Sequence, residues 1–314
     1  MMQKWTKQPA EPARIAFLVF DTFSNLCMAN CLEPLRAANA VTHSHAFDWR
    51  ILTLDGAPVE TSSGIQIMPH GPLKSLEPCD YLFVHASYDH IGHDTARARQ
   101  ALRRAAKSAR TLIGLDAGPW LLASAGLLDG RQATLHWDML GAFSERFLEV
   151  DVSRARFVRD GPVITCAGAL SALDMVLDLI SHHLGRAARL DVEDQFIKSD
   201  PAPDAPGSAD PLVIRAITAM RDHLERPLTV PQLARRLSCQ PRTLDRHFRL
   251  SLGAPPGTVY RHLRLSHARK LLEGTRLGVA EIALRSGYDS PAALARAIRA
   301  RFGATPTALR QRVH

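Results

Sequence analysis

The last third of this 314-residue chain carries one short pattern twice. Laying the stretch from Leu228 over the stretch from Leu277, an offset of 49, superposes Val230 on Val279, Leu233 on Ile282, Ala234 on Ala283 and Arg236 on Arg285. After a one-residue slip, an offset of 50 pairs Pro241 with Pro291, Leu244 with Leu294, Arg246 with Arg296, Phe248 with Ile298, Arg249 with Arg299, Gly253 with Gly303 and Pro256 with Pro306. Two copies of a unit this short must adopt the same local fold, and an extra residue is cheapest in a turn.

Each copy reads as helix, tight turn, helix. In the first, Thr229 is placed to cap VPQLARRL, Ser238-Cys239-Gln240 makes the turn, and Pro241 stands where a first helical turn tolerates a missing N–H. In the second, Gly287 supplies the turn after VAEIALRS, Ser290 is the expected N-cap and Pro291 opens the next helix. Between the copies, residues 258–272 (TVYRHLRLSHARKLL) place Val259, Leu263, Leu265, Ala268, Leu271 and Leu272 at helical spacing, which predicts a connecting helix. In a helix-turn-helix the second helix enters the DNA major groove. The positions expected to face it are Arg242, Asp245, Arg246 and Arg249 in the first copy, and Ser290, Ala292, Ala293, Arg296 and Arg299 in the second. Arg246 and Arg296 are equivalent and suited to guanine, the alternative being phosphate contact, and Ala292 and Ala293 could lie against thymine methyls.

Charge agrees with that placement. The net charge of +8 is unevenly spread: residues 210–314 hold 19 Lys and Arg against 7 Asp and Glu, while residues 1–209 hold 20 against 24. A basic third is the electrostatic footprint of a polyanion partner, since each neutralised phosphate releases counterions. The Pro-, Ala- and Ser-rich stretch 199–211 lacks apolar periodicity and reads as linker.

Pro241-Arg-Thr-Leu-Asp-Arg-His-Phe, Arg264-Leu-x-x-Ala-Arg-x-Leu-Leu272, Ile282-Ala-x-x-x-Gly-Tyr-x-Ser290 and Phe302-Gly-x-x-Pro306 resemble the signature of AraC/XylS-type transcriptional regulators over about residues 211–312. The resemblance implies an all-α DNA-binding domain with two helix-turn-helix units that read successive major grooves on one face of double-stranded DNA. Leu294, Ile298 and Leu309 depart from it, standing where the family usually has aromatic residues.

Upstream, residues 14–184 alternate apolar runs with helical stretches: RIAFLVF (14–20), a helix over 25–39, DWRILTLD (48–55), DYLFVH (80–85), an Arg-rich helix over 95–110, TLIGLD (111–116) and a helix opening at Gly118-Pro119. Such alternation predicts an α/β domain, a parallel sheet with helices on both faces, with ligands gathering at the carboxyl ends of its strands. Two loops fall there: His85-Ala86-Ser87-Tyr88, and Asp116-Ala117-Gly118-Pro119-Trp120, a strand-to-helix turn of the nucleophile-elbow kind. With Glu33-Pro34-Leu35-Arg36, residues 121–137 and residues 164–180, this region resembles the flavodoxin-like class I glutamine-amidotransferase fold, and more narrowly the sensor domain of AraC-type regulators of the GlxA kind. Enzymes of that fold carry Cys at the elbow, whereas the matching residue here is Asp116.

An Asp is a poor acyl acceptor, and at a helix N-terminus it is expected to stay ionised, so binding is favoured over catalysis. The expected pocket comprises Glu33, His85, Ala86, Ser87, Tyr88, Asp116, Ala117, Trp120, His136 and Trp137, and suits a small cation or zwitterion through charge pairing and cation–π attraction. The resemblance implies the same, since regulators of this kind sense betaine-like, carnitine-like or basic amino acid ligands. Trp120 and Trp137 could equally be core, and His136 structural. Cys27 and Cys31 lie a helical turn apart without His or Asp partners, and neither His43 with His45 nor His182 with His183 makes a zinc site, so no metal or cofactor is expected. The Arg-rich helix is expected to be a solvated face or a subunit contact.

These readings divide the chain into a tail (1–13), a sensor domain (14–185), a linker (186–210) and a DNA-binding domain (211–314). The absence of an apolar signal core, of a run long enough to span a bilayer, and of a paired framework among the five Cys points to the cytoplasm. The expected protein is a non-enzymatic transcription regulator, an activator by expectation, acting as a homodimer on promoter half-sites with RNA polymerase as a possible partner. The competing reading is an amidotransferase- or hydratase-type enzyme fused to a DNA-binding tail.

Overall fold

A computed structural model describes residues 5–196 and 210–311 and divides the chain into two compact units. One runs from Gln8 to Leu184, and the other joins the segment ahead of Gln8 to the chain from Gly185 onward.

Seven strands form the central sheet of the first unit: β1 (Ala13–Val19), β2 (Phe47–Thr53), β3 (Gly71–Pro72), β4 (Cys79–Ala86), β5 (Ala109–Asp116), β6 (Phe157–Asp160) and β7 (Val163–Cys166). Their order is β6-β7-β5-β4-β1-β2-β3. Neighbours are parallel except for the antiparallel β6–β7 pair at one edge. The middle strands are continuous apolar runs because both faces are covered. Ala16, Leu18, Leu82 and Val84 share a core with residues of α2 (Ala96–Ala106) and α3 (Gly118–Ser124). On the opposite face Phe17 stacks on Phe83 at 4.5 Å, and the Tyr81 hydroxyl meets His183 of α4 (Ala169–Leu184) at 2.8 Å. That helix packs against α1 (Asn25–Thr42). The expected α/β architecture is present.

The Arg-rich helix stops at Ala106, short of the expected residue 110, because Ala109 already belongs to β5. Arg110 therefore lies in a strand and pairs with Asp80 at 3.3 Å. Within α2, Ala98, Leu102 and Ala105 face inward while Arg97, Arg103 and Arg104 are exposed, the arrangement that an amphipathic surface helix requires.

The second unit is helical: α5 (Arg186–Phe196), α6 (Pro211–Asp222), α7 (Val230–Arg236), α8 (Pro241–Leu252), α9 (Pro256–Gly274), α10 (Val279–Arg285), α11 (Pro291–Phe302) and α12 (Pro306–Gln311). It has two cores. Val213, Met220, Leu233, Leu244 and Phe248 build one, whereas Ile282, Leu294, Ile298 and Leu309 build the other. The connecting helix α9 serves both, giving Val259, Tyr260 and Leu263 to the first and Leu265, Ala268 and Leu272 to the second. The three family departures, Leu294, Ile298 and Leu309, are all completely buried.

Two boundaries need correction. Residues 186–196, expected as linker, form α5, with Leu190 in the first core and Val192 buried. Trp5, placed in the tail, packs its ring against His262 at 5.3 Å. The rest of the expected linker up to residue 209 lies outside the described residues.

Candidate nucleic-acid interface and ligand elbow

The two helix-turn-helix units are matched in backbone. Thr229 accepts a hydrogen bond from the Gln232 N–H, and Gln232 Oε1 accepts one from the Thr229 N–H at 2.8 Å, so orphan donors at the start of α7 are satisfied reciprocally. The turn passes through Ser238 at φ 54° in the first unit and Gly287 at φ 69° in the second. A Cβ on Gly287 would stand 2.5 Å from the Leu224 carbonyl oxygen, so this turn admits only glycine. The second turn is held further by Arg264 of α9, which donates to the carbonyls of Ser286, at 2.8 Å, and Gly287 while lying over the Tyr288 ring.

Exposure along α8 and α11 repeats position for position over their first ten residues. Leu244 and Phe248, like Leu294 and Ile298, turn inward. Arg242, Arg246 and Arg249 in one helix, and Ala292, Arg296 and Arg299 in the other, turn outward. The chemistry on the outer faces differs. Asp245 accepts from Arg249 at 2.7 Å, whereas position 295 is alanine, so Arg299 lacks that acid. Arg246 and Arg296 make no ion pair among the described residues. Ser290 acts as the N-cap, accepting from the Ala293 N–H at 3.2 Å.

In the other unit the elbow is real. Asp116 ends β5 in the left-handed region at φ 59°, a conformation that costs a side-chain-bearing residue free energy. The chain enters α3 so close to β4 that a Cβ on Gly118 would lie 2.0 Å from the Val84 carbonyl oxygen. Ser87 donates to Asp116 Oδ2 at 2.7 Å and accepts from the Ser24 N–H at 2.9 Å, tying the ends of β4 and β5 to the start of α1. Ala117 N–H bonds to the Ala86 carbonyl, and His136 N–H to the Asp116 carbonyl. Burial raises the Asp116 carboxyl above its usual range, against the Ser87 bond and the nearby His136 and His90. The carboxyl therefore ionises at a higher pH than an exposed one, burial working against the partial positive charge at the start of α3, which has 7 residues.

The elbow gathers Ala86, Ser87, Asp116, Ala117 and His136, with Tyr88 and Trp137 beside it, 66% and 70% exposed. His85 is wholly buried against Phe23, neither ring nitrogen has a hydrogen-bond partner among the described residues, and burial lowers its pKa to about 3. Glu33 does not join them: it is exposed and paired with Arg36 at 2.7 Å. Trp120 is a core residue in edge contact with His90 and Phe147. Three groups that the sequence did not place at the elbow lie near Asp116: His90, Cys27 and Cys166. They come from separate elements, so no spacing in the chain reveals them. Both thiols are pushed up by burial, Cys166 to about 12, which leaves them unreactive. Among the described residues no group of His, Cys, Asp and Glu could hold a metal ion, and no helix is long and apolar enough to cross a membrane.

The fold joins an amidotransferase-like α/β domain to paired helix-turn-helix units in one chain, the build of a DNA-binding regulator. A DJ-1/PfpI family model matches residues 13–182 and a helix-turn-helix domain model matches residues 233–312. The HTH-type transcriptional regulator CdhR of Pseudomonas aeruginosa is 38% identical over 301 residues, 93% of this chain and 89% of that one. GlxA of Rhizobium meliloti, also an HTH-type transcriptional regulator, is 34% identical over 310 residues, 95% and 96% of the two chains. The isonitrile hydratase of Pseudomonas putida is 29% identical over 177 residues, 55% of this chain and 72% of that one. An AraC family transcriptional regulator structure from Pseudomonas putida superposes with a TM-score of 0.53 at 23% identity, covering 59% of this chain and all of that one, which shows the fold. The chain belongs to the AraC/XylS-type transcriptional regulators of the GlxA kind and carries their DJ-1/PfpI domain.

Proposed function

We propose that the protein is a cytoplasmic activator that binds a small cationic or zwitterionic, amine-containing metabolite at the Asp116 elbow and reads promoter half-sites with α8 and α11, as a homodimer that engages RNA polymerase. The observation that carries the ligand class is Asp116 itself, an acid at the turn where enzymes of this fold hold a thiol. Its burial favours a ligand that restores a compensating positive charge, and the exposed rings of Tyr88 and Trp137 offer faces for an alkylated ammonium group. On DNA, Arg242, Arg246, Arg296 and Arg299 are the cations of the two outer faces that make no ion pair among the described residues. Asp245 orients Arg249 and can accept from cytosine, while Ala292 and Ala293, beneath the Ser290 cap, admit thymine methyls.

Calorimetric titration against quaternary amines and basic amino acids tests the pocket. Asp116→Asn should weaken the best ligand by at least about tenfold, the scale of losing one charge-assisted contact, at an unchanged melting temperature. Because Asp116 is raised, ligand affinity should fall on acidification at a higher pH than an exposed carboxylate would give. Unchanged affinity in the variant removes Asp116 from the site. Product formed from an isonitrile or amide by the purified protein would replace the sensor reading with the enzyme reading.

A further inference from the structure

Helix α5 and the segment around Trp5 meet the helix-turn-helix repeats at one buried junction on α9. Asp191 of α5 is 8% exposed, and its Oδ1 accepts from His262 Nε2 at 3.0 Å and from the Ser266 hydroxyl at 2.6 Å. Burial works against this carboxylate, but the His262 charge, the two bonds and Arg269 outweigh it and hold Asp191 below its usual range. His262 is itself buried, with the Trp5 ring edge-on against it at 5.3 Å, and the Trp5 carbonyl accepts from the Ala187 N–H at 2.9 Å. One turn further along α5, Asp194 pairs with Arg221 of α6 at 3.1 Å and with Lys270 of α9. Arg301, near the end of α11, lies within range of the Asp191 charge.

Two features make this more than a local brace. His262 and Ser266 stand where one core gives way to the other along α9: Tyr260 and Leu263 pack into the first, Leu265 and Ala268 into the second. Trp5 and α5 are also the segments that flank the unit of residues 8–184, so both chain connections of that unit end here. A buried acid held by specific donors tolerates few alternative arrangements, the attested use of such groups being to fix register.

We propose that Asp191, held by His262 and Ser266 beneath Trp5, is a positioning residue that sets the spacing between the two helix-turn-helix units at the point where both chain ends of the sensor attach. This rests on the reading that both units contact DNA at once.

The test uses the full chain and a duplex that the wild-type protein selects from a random pool, together with the same duplex lengthened by two base pairs between its two contacted segments. The wild type should prefer the original spacing by at least about tenfold. Asp191→Asn should bring that ratio close to one, and Ser266→Ala, which deletes a single bond to the carboxylate, should lower it about threefold, with binding to random DNA unchanged in both. If Asp191→Asn fails to fold, Ser266→Ala decides. An unchanged ratio overturns the proposal, and so does an equal loss on every duplex, which is what plain destabilisation would produce. A wild-type protein without preference for any duplex removes the DNA reading beneath it as well.

Discussion

The outer faces of α8 and α11 and the elbow of the α/β unit treat charge in opposite ways. Arg246 and Arg296 stand in water without ion pairs among the described residues, whereas Asp116 and His85 are buried and shifted toward their neutral forms. A groove reader must keep its charges hydrated until a phosphate or base replaces the water, while a pocket must pay desolvation in advance to be selective. The difference shows that salt should act on one site and pH on the other.

The largest expected effect follows from the exposed cations. Raising salt from about 50 to about 200 mM should weaken specific DNA binding by about a thousandfold, while leaving urea stability within about 1 kcal/mol. A flat salt response in a filter-binding titration would break the comparison on its DNA side. Next, Arg246→Ala and Arg296→Ala should each cost about 1–3 kcal/mol on the selected site and much less on random DNA. Gel-shift titrations in which both duplexes weaken equally would reduce these residues to phosphate contacts. The third effect sharpens the elbow side. His85 takes a proton near 6.5 when unfolded but only at about 3 when folded, so the unfolded chain binds more protons between those values and stability falls as pH drops through that window. The loss from pH 6.5 to about pH 5 should approach about 2 kcal/mol by urea denaturation, and His85→Leu should abolish it. An identical acid response in the variant would place the titrating group elsewhere.

Legibility followed periodicity. The repeat, its caps at Thr229 and Ser290 and the outward arginines were readable because helix geometry maps residue spacing directly onto a face. Strands β1, β2, β4 and β5 of the α/β unit were readable as apolar runs, and Asp116 as the residue ending one of them, whereas the short β3, β6 and β7 carry too few apolar residues to stand out. Trp120 was not, since an aromatic next to an elbow reads the same whether it lines a pocket or fills a core. Glu33 sits next to Arg36 in every helical reading, yet only the fold shows that α1 turns both to solvent. Helix α5 was hidden because charged residues are as frequent as apolar ones in RAARLDVEDQF, and its inward acid, Asp191, finds its partners more than seventy residues away. Composition alone cannot separate such a helix from the polar stretch that follows it.

The left-handed turn at Asp116 limits how the proposed ligand site can be interrogated. Asn accepts that backbone conformation nearly as well as Asp, but Ala and the branched residues do not. An alanine scan at this position would therefore mix a backbone penalty of about 1 kcal/mol or more with the loss of the carboxyl. A weakened response from such a variant could be misread as a lost ligand contact when the turn itself had relaxed.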